Sequence, residues 1–370
     1  MRLLIQTVPK DIHAICVAIA MHRIGHEAIL LAALEQPSNQ HLTVELSDDA
    51  GSWKLDSSLE LGLDDIDVIW WRRFKAPKPA EFIHRDDLKF TLGENRHFFR
   101  GLLQAASGKT VWVHSPGISE TAESKIRQLA EARRVGLAIP RTMFSNSPED
   151  IRAFITEIES EGNAAIYKTF GQATWVHGTG GKTMFARQVR PSDVKLDSVI
   201  QAVPGIYQEA ITKSFEVRAN FFGDREVAVR IDSQSDKSAC QDWRASLNLG
   251  QILSPIKLPE NVSAQCRELM ARFSLSMACF DFIVTDSNEY VFLELNQQGQ
   301  FLWIEELCPE IPVLHEFTGY MEDIAGTAAK PRSAGVSVPG FHDVFGSNEF
   351  LQAERGLESN GYFRFASNDA

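Results

Sequence analysis

Asp281, Glu294 and Asn296 are the residues whose types and spacing most directly imply chemistry. They lie in CFDFIVTDSNEYVFLELNQQGQ, where two apolar, alternating runs flank the turn-prone Asp286-Ser287-Asn288. A hairpin over this stretch sets Asp281 on one strand beside Glu294 on the next. Glu294 and Asn296, two apart, then share a face because strand side chains alternate. Oxygen ligands with no Cys or His among them suit Mg²⁺, which keeps open positions for substrate phosphates. Acids near strand ends also occur in ordinary amphipathic hairpins, so the trio alone leaves both assignments open.

Three further groups bear on a reaction. Lys168 stands in the apolar run AAIYKTF, where a charged amine is costly unless it meets an anion. The following loop HGTGGK supplies Gly178, Gly180 and Gly181, so a lysine point charge neighbours backbone able to donate N–H groups to polyphosphate. The loop lacks the GxxxxGK[ST] spacing of a P-loop, and a Gly-rich loop is also an ordinary turn. In YQEAITKSFEVRANF, the connection after an apolar strand can meet an adenine edge through its backbone, and Glu216 can accept from ribose hydroxyls. Glu209 and Glu216 read equally as solvated strand-end acids. Arg218, Arg230 and Arg244 alternate with apolar neighbours and, on a continuous sheet, point to the face of the acidic hairpin. Guanidinium groups there suit carboxylate and phosphate oxygens. Salt bridges with some of the 49 acidic residues are the competing assignment.

The elements that must position these residues are legible in outline. With 370 residues, 44% hydrophobic and 9% aromatic, the chain can fill two or three domain cores. No run of about 18 apolar residues occurs. MRLLIQTVPK carries no signal-peptide pattern, which predicts no membrane partner and a cytoplasmic location. Cys16, Cys240, Cys266, Cys279 and Cys308 are odd in number and never form CxxC, which reads as buried thiols. A net charge of -12 argues against nucleic acid as a partner and favours a basic peptide region or a small molecule.

The pattern predicts a β-α-β start: strand RLLIQTV, a helix through DIHAICVAIAMHRI ended at Gly25, and a second apolar run. Strand DIDVIWWRRF, a helical stretch near 94–106 and strand KTVWVHSP complete an α/β domain over residues 1–116. A helix from Ser119 to Val135 follows, then helix SPEDIRAFITEI with Ser147 as N-cap and Pro148 first, then mostly strands over 164–235. These include a hairpin turning at Gly223-Asp224. A helix near 260–275, the acidic hairpin and a helix near 309–325 close the body. Residues beyond about 330 show no clear periodicity and read as a tail or small appended element.

The order of the parts resembles the ATP-grasp superfamily over residues 1 to 325: an α/β domain, Lys125, Lys168, a Gly-rich loop, the QEAI linker, Glu216, Asp281, and Glu294 thirteen further on with Asn296 two beyond. Within it the chain is similar to microviridin-type graspetide macrocyclases. VIWWRRF, QEAITKSFEVR, RIDSQ at 230–234, DWR at 242–244 and FLELNQQGQFLWIE at 292–305 carry that likeness. The Ala of QEAI stands where an aromatic is frequent, and the segment from about 330 lies outside the pattern.

The resemblance implies an α/β (α+β) ATP-grasp fold with an N-terminal domain at 1–116, a central domain at 117–205, a C-terminal domain at 206–328 and a tail at 329–370. It implies ATP held between the latter two domains by Lys125, Lys168, Gly178, Gly180 and Gly181 on phosphates and by Gln208, Glu209, Ala210 and Ile211 on adenine. Glu216 would hold the ribose, and Asp281, Glu294 and Asn296 two Mg²⁺ ions. The expected reaction is phosphorylation of a side-chain carboxylate of a precursor peptide, followed by ester or amide ring closure with its Ser, Thr or Lys. Arg218 and Arg244 would stabilise the acyl-phosphate, and Asp242 would act as base or orient Arg244. A leader segment of the peptide would bind around residues 190–225, and the enzyme would be a homodimer. DWR is also reminiscent of ribosomal-protein glutamate ligases, so addition of an amino acid or amine to a carboxylate is the alternative. A silent nucleotide-binding scaffold is a third reading.

Overall fold

The structure is a computed structural model that describes residues 1–34, 40–47, 51–55, 59–106, 108–171, 174–177, 180–183, 186–236, 240, 243–246, 248–326 and 337–366. The apolar runs Arg2–Thr7, Glu27–Ala32 and Val68–Trp71 are buried nearly throughout, as strands covered on both faces must be. They pair in parallel, with Arg2–Thr7 in the centre and Val111–Trp112 beyond Val68–Trp71. Helix Ile12–Arg23 covers one face. The other carries an antiparallel meander, Leu42–Leu46, Gly51–Leu55 and Leu59–Gly62, whose Trp53 and Leu61 pack with Ile69 and Trp71. That meander was not anticipated: its strands are short and half exposed, so their alternation is weak.

Residues 337–366 form the small appended element rather than a tail. Helices Phe341–Val344 and Asn348–Asn360 lead into strand Tyr362–Phe365, which joins the edge of the N-terminal sheet antiparallel to Glu27–Ala32. Gly361 makes the turn at φ +74°, and a Cβ there would lie 2.0 Å from the Gln40 amide nitrogen. The apolar stripe that packs this segment is only Phe350, Ala353 and Leu357 on the long helix, too short a signal to stand out in sequence.

The single helix expected from Ser119 to Val135 is two. Ser115 caps Pro116–Ala122, Pro116 sits at its first position, and Ser124 caps Lys125–Arg134. The break puts Lys125 at the start of a helix. Strands Arg187–Val189, Ala164–Lys168, Gly205–Ala210 and Thr142–Ser145 form an antiparallel sheet in that order, covered by helix Pro148–Ser160. Ser147 accepts from the Asp150 amide to cap this helix, as its sequence predicts. A separate hairpin pairs Thr174–His177 with Gly180–Thr183.

A five-stranded antiparallel sheet carries the acidic residues, in the order Leu253–Ile256, Arg225–Ile231, Phe215–Phe222, Met277–Val284, Tyr290–Asn296. One face packs on helices Lys125–Arg134 and Glu260–Arg272. The other packs on helix Val313–Ile324 and shares its core with helix Ile12–Arg23, so Phe222, Phe301 and Phe317 meet Trp70 of the N-terminal sheet in one apolar cluster. The two sheets are thereby fixed against each other.

Candidate active site

Arg218, Asp281 and Glu294 form a row across neighbouring strands. Arg218 lies opposite Asp281, and Asp281 opposite Glu294, and directly paired residues of an antiparallel sheet project from the same face. Arg218 Nη1 donates to both Asp281 oxygens at 2.7 Å. Lys125 Nζ donates to Glu294 Oε2 at 2.6 Å, and Arg244 Nη2 stands 3.7 Å from Glu294 Oε1. Asn296 Nδ2 donates to Asp281 Oδ2 and Glu294 Oε1, both at 3.3 Å. Two acids and one amide thus converge, with cations arranged around them.

Lys125 reaches this place because its helix is pinned to the acidic strand. Buried Gln128, one turn further on, donates to Leu295 O at 2.8 Å and accepts from Leu295 N at 3.0 Å. The arrangement splits the two carboxyls. Burial raises the pKa of Asp281, and the neighbouring Glu294 charge adds to that against the pull of Arg218. Burial also pushes Glu294 up, but the charge and hydrogen bond of Lys125, with Arg244, hold it well below the usual carboxylate range. Lys125 and Arg244 thus favour the anionic form of Glu294.

Asp281, Glu294 and Asn296 fit a magnesium ion in donor chemistry: turned about its last side-chain bond, the Asn296 amide presents oxygen beside the two carboxylates. Glu216 shares the face of Arg218, two residues away on the same strand. Burial raises its pKa although Lys213 Nζ lies 2.7 Å away.

The central sheet adds a second polar surface. Lys168 lies opposite Ile206 and Gln208 opposite Ile166, so Lys168 and Gln208 are diagonal neighbours on the face turned from helix Pro148–Ser160. Buried Gln208 donates to Thr142 Oγ1 at 2.9 Å, while its own Oε1 has no partner. Glu209 points the other way, to Asn163 at 2.7 Å and Arg141 at 3.4 Å, so only its backbone can serve the Gln208 face. Ala210 ends the strand and Ile211 begins the connection to Phe215. Gly180 and Gly181 lie in the second strand of the separate hairpin, and Gly178 and Asp242 fall outside the described residues.

Two expectations about the arginines need correction. Arg230 pairs with Val217, which alternates with Arg218, so Arg230 projects from the opposite face. The two-residue turn at Gly223-Asp224 reverses the parity, and Arg230 lies 3.9 Å over the Phe215 ring. Arg244 sits in a 3₁₀ turn, Trp243–Ala245, rather than a strand, yet it reaches Glu294 because Trp243 stacks on Trp303 at 4.9 Å.

Sequence reasoning missed Gln128, Lys213 and the wholly buried Arg72. Only Arg72 had a signal, a charged doublet directly after the buried strand VIWW.

No protein-family model matches the chain. A RiPP-associated ATP-grasp ligase of Chryseobacterium gregarium, solved with ADP and a leader and core peptide, superposes with a TM-score of 0.78 at 24% identity, over 90% of this chain and 98% of that one. Macrocyclase MdnC of Microcystis aeruginosa, bound with precursor peptide MdnA, gives 0.75 at 26% identity, over 87% and 100%. The ATP-grasp ligase PsnB, complexed with a phosphomimetic variant of a minimal precursor, Mg and ADP, gives 0.66 at 21%, over 89% and 98%. Among curated proteins, a "Probable alpha-L-glutamate ligase" of Thioalkalivibrio sulfidiphilus is 25% identical over 182 residues, 47% of this chain; the chain spans 55% of that relative's length. Among the described residues no helix is long and apolar enough to cross a membrane. The chain has the ATP-grasp fold and resembles the ATP-grasp ligases of the graspetide macrocyclase type.

Proposed function

We propose that this chain is an ADP-forming ligase that activates Asp or Glu side chains of a ribosomally made precursor peptide and closes macrocycles onto its Ser, Thr or Lys side chains. The observation that carries the reading is the row Arg218, Asp281, Glu294, Lys125, in which cations and hard oxygen donors meet on one sheet face. Likeness to two solved ligases that hold peptides supports the substrate class.

In this reading ATP lies between the central and C-terminal sheets. Lys168 meets phosphate, and the unpaired Gln208 Oε1 accepts from the adenine amine beside the backbone of Glu209, Ala210 and Ile211. Gly178, Gly180 and Gly181 belong to the phosphate loop, and Glu216 accepts from the ribose. Magnesium ions, two in this proposal, would be held by Asp281, Glu294 and Asn296 and would offset charge at the γ-phosphoryl group.

Lys125 then exchanges Glu294 for a phosphate oxygen. Arg218 and Arg244 orient the attacking carboxylate and stabilise the acyl-phosphate. The carboxylate oxygen bonds to the γ-phosphorus as ADP leaves; the peptide's hydroxyl or amine then attacks the acyl carbon, phosphate leaves, and one water equivalent is lost per ring. Asp242 is the candidate to take the nucleophile's proton or to orient Arg244. A leader-bearing peptide, a homodimeric enzyme and a cytoplasmic setting complete the proposal.

The names of the curated relatives favour a second reading, addition of glutamate or another amine to a carboxylate. Mass spectrometry of a neighbouring peptide, one encoded beside this chain and rich in acidic, Ser and Thr residues, incubated with the protein, ATP and Mg²⁺ separates the two. Loss of water masses with ADP formed supports ring closure; gain of an amino-acid mass supports the second reading and rejects the first.

A further inference from the structure

VIWWRRF, a marker of the family likeness, has no assigned task, and its Arg72 is wholly buried. A buried guanidinium is tolerated only with compensation. Buried Asp11 provides it, 3.5 Å from Arg72 Nε and itself accepting from Thr7 Oγ1 at 3.1 Å. Arg72 Nη1 donates to the carbonyls of Gln298 and of Gly299, the latter at 2.6 Å. These carbonyls belong to the loop that leaves the acidic strand after Asn296.

Two residues on, the same loop is held again. His13, in the first turn of helix Ile12–Arg23, accepts through Nε2 from the amides of Phe301 at 2.9 Å and Leu302 at 3.1 Å. It thereby caps helix Leu302–Leu307 from another part of the fold. Burial, with the nearby Arg72 charge, pushes the His13 pKa down to about 3, so the ring is neutral and its lone pair available.

Between these two anchors stands the carbonyl of Gln300. It accepts from Arg218 Nη2 at 3.3 Å and from Trp303 Nε1 at 3.0 Å. Arg218 grips Asp281, and Trp303 stacks on Trp243, which adjoins Arg244 beside Glu294. One carbonyl therefore joins both arginines of the candidate site.

We propose that Arg72 and His13 are positioning residues: from the N-terminal sheet layer they fix the Gln298–Leu302 backbone, and through the Gln300 carbonyl they set Arg218 and Arg244 over the acids. This rests on the reading of Asp281 and Glu294 as the metal–phosphate site. The N-terminal layer thus takes part in aligning the reactive row.

The test uses the full chain and Mn²⁺·ADP as probe. Because Arg72→Met alone leaves buried Asp11 with only the half-exposed Arg73 as a cation, 3.6 Å away, the pair Asp11→Asn/Arg72→Met is used, with His13→Phe and its conservative counterpart His13→Gln. The Trp243–Trp303 stack is followed by near-UV circular dichroism, its signal defined by the Trp303→Phe difference spectrum.

The proposal expects Asp11→Asn/Arg72→Met and His13→Phe to lose that signal and to weaken Mn²⁺·ADP about tenfold or more, the size typical when residues orienting metal ligands are removed. ADP without metal should bind unchanged, and His13→Gln, which keeps an acceptor, should restore most of both. A merely structural role would weaken both forms of ADP alike. Folded variants that retain the stacking signal and wild-type Mn²⁺·ADP affinity overturn the clamp. If Glu294→Gln also binds Mn²⁺·ADP as wild type while the clamp variants lose the stacking signal, the metal–phosphate reading fails and the clamp stands.

Discussion

The two polar surfaces of this molecule are finished to different degrees. On the C-terminal sheet, each acid of the row meets a cation or an amide: Asp281 with Arg218 and Asn296, Glu294 with Lys125, Arg244 and Asn296. On the central sheet, Gln208 is more deeply buried and its Oε1 is an acceptor left unpaired, whereas the unpaired atom on the row is a donor, Arg218 Nε. An unmet buried acceptor costs about 1–3 kcal/mol, and its retention points to a donor that arrives with a ligand. On the proposed reading, the difference teaches that the phosphoryl end would be assembled before substrate arrives, with internal cations standing where metal and phosphate charges would act. The nucleobase end would be completed by the nucleotide.

The largest expected effect breaks the assembled side. Glu294→Gln keeps shape but removes the fixed anion, and turnover should fall about 10³-fold, the scale of losing a preorganised electrostatic group. Far-ultraviolet circular dichroism should be unchanged. Turnover near wild type would remove Glu294 from the site.

Gly299→Ala tests how tightly the loop beneath that row is held. Gly299 has φ +43°, and an added Cβ would lie 2.3 Å from Cys279 Sγ. Thermal or urea unfolding should show a loss of about 1–3 kcal/mol from overpacking. An unchanged midpoint would mean that the loop is slack.

Gln208→Leu tests the unfinished side and should have opposite consequences for ligand and fold. ATP should bind about tenfold more weakly, equivalent to about 1.4 kcal/mol, by titration calorimetry. Stability should hold or rise slightly, because an unmet buried acceptor is removed. A loss of stability with unchanged ATP affinity would make Gln208 a structural residue.

Acid adds to the comparison, because His13, which holds the loop beneath the row, is a neutral histidine, and His114 is a second buried one. Burial lowers His13 from 6.5 to about 3 and His114, next to the strand Val111–Trp112, from 6.5 to about 4. Their folded pKa values lie below the unfolded ones, so the unfolded chain binds more protons between about pH 6.5 and 3 through His13 and between about 6.5 and 4 through His114. Stability from these groups is complete above pH 6.5 and is lost as pH falls through those windows. The slope is at most about 1.4 kcal/mol per pH unit for each histidine. His114→Phe should flatten it, which melting curves at stepped pH would show.

Much of this was legible in sequence where local pattern governs. Asp281, Glu294 and Asn296 were placed by strand alternation alone, and the hairpins at Gly223-Asp224 and Asp286-Ser287-Asn288 turn where their residues demand. What remained hidden depends on contacts distant in sequence. Arg72 meets Gly299, and Gln128 meets Leu295, across gaps that no window spans. Arg230 shows a subtler limit: its spacing from Arg218 is even, but the turn between them shifts the pairing by one and sends it to the other face. The closing strand Tyr362–Phe365 was invisible because its partner, Glu27–Ala32, lies at the other end of the chain.

The most direct test of the central claim is to trap the activated carboxylate. The protein, ATP, Mg²⁺ and the neighbouring acidic peptide are incubated with hydroxylamine, and peptide and nucleotide are analysed by mass spectrometry. A hydroxamate on an Asp or Glu side chain together with ADP is expected, both absent with Glu294→Gln. Modified peptide with AMP and pyrophosphate as the nucleotide products, or hydroxamate formed equally well by Glu294→Gln, would contradict it.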